Sequence, residues 1–164
     1  MFFIKTRFAQ WLVITVTMLM LWGCVAPALV ETNSNEIKFI TVGCIPVVEG
    51  KINGKKAFFV VDTGATISIL DEACSKRFGF RATASSDRTV IGLGGESSIN
   101  DAINCSVEFG PLKIEHVVFR TKRLGEFVSI IRKNNHIEIV GILGADVFDH
   151  YKININYKNR TITF

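Results

Sequence analysis

Charge of either sign is scarce at the start of this chain. No acidic residue occurs before Glu31, and Lys5 and Arg7 are the only charged groups in the first 30 positions. Across all 164 residues, 19 Lys and Arg face 15 Asp and Glu, and beyond residue 30 the count is 17 against 15. So even a balance gives no reason to invoke a polyanion, and a nucleic-acid partner has no support. Histidine is rare too: His116, His136 and His150 do not sit at metal-ligand spacing, and neither CxxC nor HExxH is present. No metal is assigned. The glycine-rich stretch Gly92-Leu93-Gly94-Gly95 lacks the Lys-Ser/Thr of a phosphate loop and the spacing of a dinucleotide fingerprint, so no cofactor is expected. Cys24, Cys44, Cys74 and Cys105 lack the short regular spacing of a disulfide scaffold and read most simply as small buried thiols. Neither an internal repeat nor a low-complexity segment interrupts the chain. What remains is a 48% hydrophobic sequence long enough for one domain with one sound core.

Residues 1–30 follow the grammar of an export signal: basic residues, then an apolar run, then small residues. Three readings stay open. Leu21-Trp22-Gly23-Cys24 resembles a lipoprotein box. Ala26-Pro27-Ala28 offers a small-x-small cleavage site. Trp11 to Val30 carries no charge and is long enough to span a bilayer uncleaved. Each reading puts the rest of the chain in the cell envelope, outside the cytoplasm, because positive residues stay inside. A membrane-tethered product, lipoprotein or single span, is favoured over a free one. Residues 31–36 are polar and read as a linker, leaving residues 37–164 as the domain.

That domain is patterned mostly as strand. Ile37 to Val42 and Ile45 to Val48 are rich in β-branched residues, and Asn53-Gly54 is a two-residue hairpin signal. Ala57-Phe58-Phe59-Val60-Val61 is continuously apolar, as in a strand covered on both faces. A short helix is expected between Asp71, a good N-cap, and Gly79. Thr89 to Ile91 and Ser98-Ile99 flank the glycine-rich tip. Ile103 to Phe109 and Leu112 to Phe119 read as a second hairpin. The charged stretch 120–136 reads as a surface loop or a partner site. Ile137 to Val140 leads into Gly141-Ile142-Leu143-Gly144, a helical turn follows to His150, and a last hairpin turns over Lys158-Asn159. The spacing predicts a mostly β fold, a small closed barrel with one or two short helices.

The apolar run from Ala57 ends in Asp62-Thr63-Gly64-Ala65. Three letters alone read as a polar turn. An acid at the end of a buried strand, however, must be hydrogen-bonded, paired or functional, because a lone buried carboxylate is costly. Together with its surroundings the sequence resembles the retropepsin-like aspartic protease family in its bacterial, exported, single-lobed form. Four stretches carry the resemblance. Phe58 to Leu70, preceded by Asn53-Gly54, resembles the catalytic-loop block. Gly92 to Gly95 resembles the flap. Gly141 to Phe148 resembles the block that crosses behind the catalytic loop, and Asn154 to Phe164 resembles the closing hairpin.

The resemblance implies a retropepsin-type barrel and a protease without metal or cofactor. It implies a homodimer as well, because the chain has a single Asp-Thr-Gly and the chemistry needs two carboxylates. Asp62 from each copy would activate a water, Thr63 would bond across the dimer, and Gly64 would donate its amide to Asp62. Ala65, Gly92, Leu93, Gly94 and Gly95 would contact an extended peptide or protein substrate. Ile142 and Leu143 would pack beneath the loop, with Gly144 permitting a close crossing. The competing reading is a non-catalytic peptide-binding module of the cell envelope with the same fold.

Overall fold

Asn53 and Gly54 both take a left-handed backbone, with φ of 49° and 77°. That pair forms the tight turn whose twist matches two antiparallel strands. The strands it joins are β2 (Ile45–Ile52) and β3 (Lys55–Val61), in register from Ile52 opposite Lys55 to Val47 opposite Val60. The Asn53 side chain ties the turn to two distant segments. It donates to the carbonyls of Phe78 and Asn104 and accepts from the Ser106 amide. The computed structural model describes residues 35–83, 89–92, 95–125, 128–131 and 137–164. These fall within one compact unit, Asn33–Phe164. The expected anchor segment, most of the linker, Leu93 and Gly94 lie outside the described residues. Among the described residues no helix is long and apolar enough to cross a membrane.

Before β2 lies β1 (Glu36–Val42), which opens within the expected linker. After β3 the order is β4 (Ile69–Asp71), a 3-10 turn (Glu72–Cys74), α1 (Ser75–Phe78) and β5 (Arg81–Ala82). A separate two-stranded hairpin follows, β6 (Thr89–Gly92) with β7 (Gly95–Ser98). Then come β8 (Asn100–Ile103), β9 (Val107–Phe109), β10 (Leu112–Ile114) and β11 (Arg120–Lys122). The chain ends with β12 (Ile139–Leu143), α2 (Ala145–His150), β13 (Asn154–Asn156) and β14 (Thr161–Thr163). The sheet runs β13-β14-β1-β2-β3-β12-β4-β11-β8-β5, with β9 paired to β2 and β10 to β9. The mostly β body with short helices matches expectation. Among the described residues the ladder has β13 at one end and β5 at the other.

Period-two alternation splits β3 between two apolar clusters. Ala57, Phe59 and Val61 join the larger one with Val48, Ile52, Leu70 and Phe109. Val60 joins the smaller one with Val42, Val47, Val128, Ile131 and Ile139. The strand is therefore covered on both faces, as its unbroken apolar run predicts. Asp71 accepts from the Ala73 amide, and Gly79 ends α1 at φ 84°, so both expected caps are present.

Two expectations need correction. The long hairpin from Ile103 to Phe119 is interrupted. Asn104 turns left-handed at φ 54°, so β8 pairs with β5 and β11 rather than with β10. Only Val107–Phe109 and Leu112–Ile114 pair as a hairpin. Nor is the charged stretch wholly a loop. Arg120–Lys122 forms β11, parallel to β4 and antiparallel to β8, and its Thr121 is buried.

Candidate active site

Strands β3 and β4 are consecutive in sequence yet do not pair. β12 inserts between them, parallel to β3 and antiparallel to β4. This insertion makes the turn after β3 a fixed loop rather than a free connection. Two glycines permit it. A Cβ on Gly141 would lie 2.6 Å from the Ile69 carbonyl oxygen. One on Gly144 would lie 2.5 Å from the Ile67 carbonyl oxygen and 2.8 Å from that of Ala65. Leu143 is buried beneath the loop and Ile142 is half-buried, the packing roles expected of them.

Asp62 is the first residue beyond β3. Its amide donates to the Leu143 carbonyl at 3.0 Å, and its own carbonyl accepts from the Ala65 amide at 3.1 Å. The Gly64 amide donates to Asp62 Oδ1 at 3.0 Å, as the resemblance implies. A Cβ on Gly64 would stand 3.2 Å from that oxygen, so glycine lets the amide come close. The Ala65 carbonyl accepts from the Ala145 amide at 2.7 Å, which joins the loop to the start of α2.

The acid is not inside the core. Burial ends at Val61; Asp62, Thr63 and Gly64 are exposed and Ala65 is half-buried. The desolvation argument made from the sequence therefore does not hold for the single chain. Among the described residues, the Gly64 amide alone bonds to the Asp62 carboxylate. The Thr63 hydroxyl likewise has no hydrogen bond within the chain among those residues. The chain thus presents a fixed backbone loop with one acid and one hydroxyl directed outward.

Gly92 pairs with Gly95 at the end of the β6–β7 hairpin, and Gly95 has φ 90°, a conformation suited to glycine. Ile91 is 87% exposed on this hairpin, an apolar side chain held in solvent. Among the described residues no cluster of three metal-ligating side chains occurs. The Cys105 thiol is pushed up to about 11 by burial, which disfavours its thiolate at neutral pH.

Sequence reasoning gave no role to Ser68 or Asp146. Ser68 is completely buried, and its amide and hydroxyl both donate to the Asp146 carboxylate. Asp146 lies in the first turn of α2, where an acid reads as ordinary support for a helix start. The only available signal was that both residues fall inside the two blocks that carry the resemblance.

Residues 48–147 match the aspartyl protease family, a span reaching from β2 into α2 and including both Asp62 and the Gly141–Gly144 crossing. The chain belongs to that family. Among solved structures it is similar to a retropepsin-like aspartic protease from Rickettsia conorii, with a TM-score of 0.51 and 18% identity over 77% of this chain and 87% of that one. It is also similar to the retroviral protease-like domain of Ddi1 from Leishmania major, with a TM-score of 0.52 and 19% identity over 72% and 86% of the two chains. The fold is therefore retropepsin-like. No curated protein matches the sequence.

Proposed function

We propose that this protein is an aspartic endopeptidase, active as a homodimer in which the two copies of Asp62 face one water molecule. The observation that carries the reading is the loop itself: an outward acid, its Oδ1 held by the Gly64 amide, on a backbone fixed by β12. One exposed carboxylate per chain is half of the required machinery. A two-fold axis beside Asp62 supplies the other half and brings the Thr63 hydroxyls toward each other's loops.

Two carboxylates a few ångströms apart do not both ionise, so the pair shares one proton, as aspartic-protease dyads do. The ionised member removes a proton from water as its oxygen attacks the scissile carbonyl. The protonated member donates to the carbonyl oxygen as negative charge develops there. The tetrahedral intermediate then collapses, the C–N bond breaks, and the amine leaves with a proton delivered by the dyad. No bond to the protein forms. The substrate is an extended peptide segment, covered by the β6–β7 hairpin that ends at Gly92 and Gly95 and resting against Ala65. The N-terminal segment directs the domain out of the cytoplasm and tethers it to the membrane.

The test is peptide cleavage by the full chain over a range of pH, beside Asp62→Asn and a statin-type transition-state mimic. Cleavage is expected to follow a bell-shaped pH profile and to rise faster than linearly with protein concentration where dimers dissociate. It should fall at least about 1,000-fold in Asp62→Asn. Cleavage that survives Asp62→Asn overturns the mechanism. Peptide binding without turnover points instead to the non-catalytic peptide-binding module.

A further inference from the structure

Among the described residues, three anchors of the Asp62 loop come from the short stretch 143–146. Leu143 accepts from the Asp62 amide, and Ala145 donates to the Ala65 carbonyl. The third anchor is a two-pronged bridge between Ser68 and Asp146, which are 78 residues apart. The Ser68 amide donates to Asp146 Oδ2 at 2.9 Å, and the Ser68 hydroxyl donates to Oδ1 at 2.6 Å. The same hydroxyl oxygen accepts from the Gly144 amide at 2.9 Å. The Ser68 carbonyl accepts from the Arg120 amide at 2.9 Å. Every polar group of this buried serine is thereby engaged.

The chemistry of the bridge is selective. Ser68 presents two donors side by side, and an ionised carboxylate is a pure acceptor with two oxygens. The pair fixes an orientation as well as a distance, and bonds to a charged acceptor are among the stronger ones. A local helix cap would need only the bond from the Val147 amide to Asp146 Oδ1, at 2.8 Å. The two further bonds reach out of α2 to the far end of the Asp62 loop.

We propose that Asp146, acting through Ser68, is a positioning residue that sets the working geometry of the Asp62 carboxylate. The inference rests on the protease reading above. It extends that reading by giving Asp146 a part in turnover without any contact with substrate.

The experiment compares the full chain with Asp146→Ala, Asp146→Asn, Ser68→Ala and Asp62→Asn, reading kcat, KM, Tm and amide hydrogen exchange. Asp146→Ala is expected to lower kcat about 100-fold, the scale of a misplacement of about 1 Å, with KM changed less than about threefold. Asp146→Asn should recover part of that loss, because the amide keeps one acceptor and the hydroxyl can turn to accept its NH2. Exchange should accelerate at Gly64, Ser68 and Gly144 while amides of β2 and β3 remain protected. If Asp146→Ala fails to fold, Ser68→Ala, which keeps the amide prong, must show the same split between kcat and KM. Wild-type kcat in a folded Asp146→Ala overturns the proposal. So does a loss accompanied by uniform acceleration of exchange, which marks plain structural support. If the unsubstituted chain and Asp62→Asn are equally inert, the protease reading fails; selective exchange at the loop then still supports the positioning bridge, and its absence overturns it.

Discussion

Replacing Gly144 with alanine adds one methyl group at the place where β12 leaves the sheet beneath the Asp62 loop. The backbone there is extended, with φ −102° and ψ −178°, a conformation any residue adopts. The penalty is therefore one of contact alone. The new methyl carbon would lie 2.5 Å from the Ile67 carbonyl oxygen, about 0.9 Å inside the 3.4 Å at which ordinary contact begins. It would also meet Ile67 C at 2.6 Å and the Ala65 carbonyl oxygen at 2.8 Å. All three are backbone atoms and cannot swing aside as a side chain can. Relief requires moving the loop or the crossing strand by most of an ångström. Overpacking of this kind costs about 1–3 kcal/mol, and the reduced freedom of the unfolded chain returns less than about 1 kcal/mol. A shift of that size in the Asp62 loop should lower kcat about 100-fold. Urea unfolding gives the first quantity and steady-state cleavage the second. A Gly144→Ala protein with unchanged stability and unchanged kcat would refute the claim that this close crossing fixes the acid.

Asn53→Ala should cost about 2–3 kcal/mol in urea unfolding, because it removes three side-chain bonds to the backbone of Phe78, Asn104 and Ser106. Ile91→Asp should leave stability within about 0.5 kcal/mol, given the exposure of Ile91, yet raise KM about tenfold if the hairpin covers an apolar substrate residue. Burial raises the Cys105 thiol to about 11 from 9.0, so the protonated form is favoured by folding. Its contribution to stability is present below pH 9 and is lost as pH rises toward 11; unfolding midpoints should fall over that window in the parent chain and less in Cys105→Ser. At pH 8 a thiol reagent should modify exposed Cys44 well before Cys105. The Lys152 ammonium, hydrogen-bonded to Asp149 at 2.9 Å, lowers that carboxyl from its ordinary value, a stabilisation present above the ordinary range and lost as pH falls through the depressed one. Both partners are exposed, so NMR titration of Asp149 in Lys152→Met should show the shift removed with little change in Tm.

What the sequence could disclose was local. Asn53-Gly54, the Asp71 cap and Gly79 each announce a backbone geometry within two or three residues, and all three are found where expected. The apolar run of β3 disclosed its own burial, but not that burial stops at Val61 and leaves Asp62 in solvent. That outcome depends on where β12 ends, a property of residues far along the chain. β11 was hidden because Thr121 sits between two basic residues, so its pattern of burial resembles a charged loop. The break at Asn104 was hidden because Ile103 and Val107 on either side both favour strand. Ser68 and Asp146 form a contact between distant segments, and nothing in the neighbourhood of either predicts the other.

The place of β12 between β3 and β4 has a consequence for the order in which the molecule can be finished. Synthesis delivers β3 and the Asp-Thr-Gly turn first, whereas the strand that lies against them follows only across most of the 78 residues separating Ser68 from Asp146. Until that strand emerges, one edge of β3 stands unpaired and the acid sits on slack backbone. For that interval the Asp62 loop lacks the strand that fixes it, and its final geometry is set by a segment made long after the loop itself.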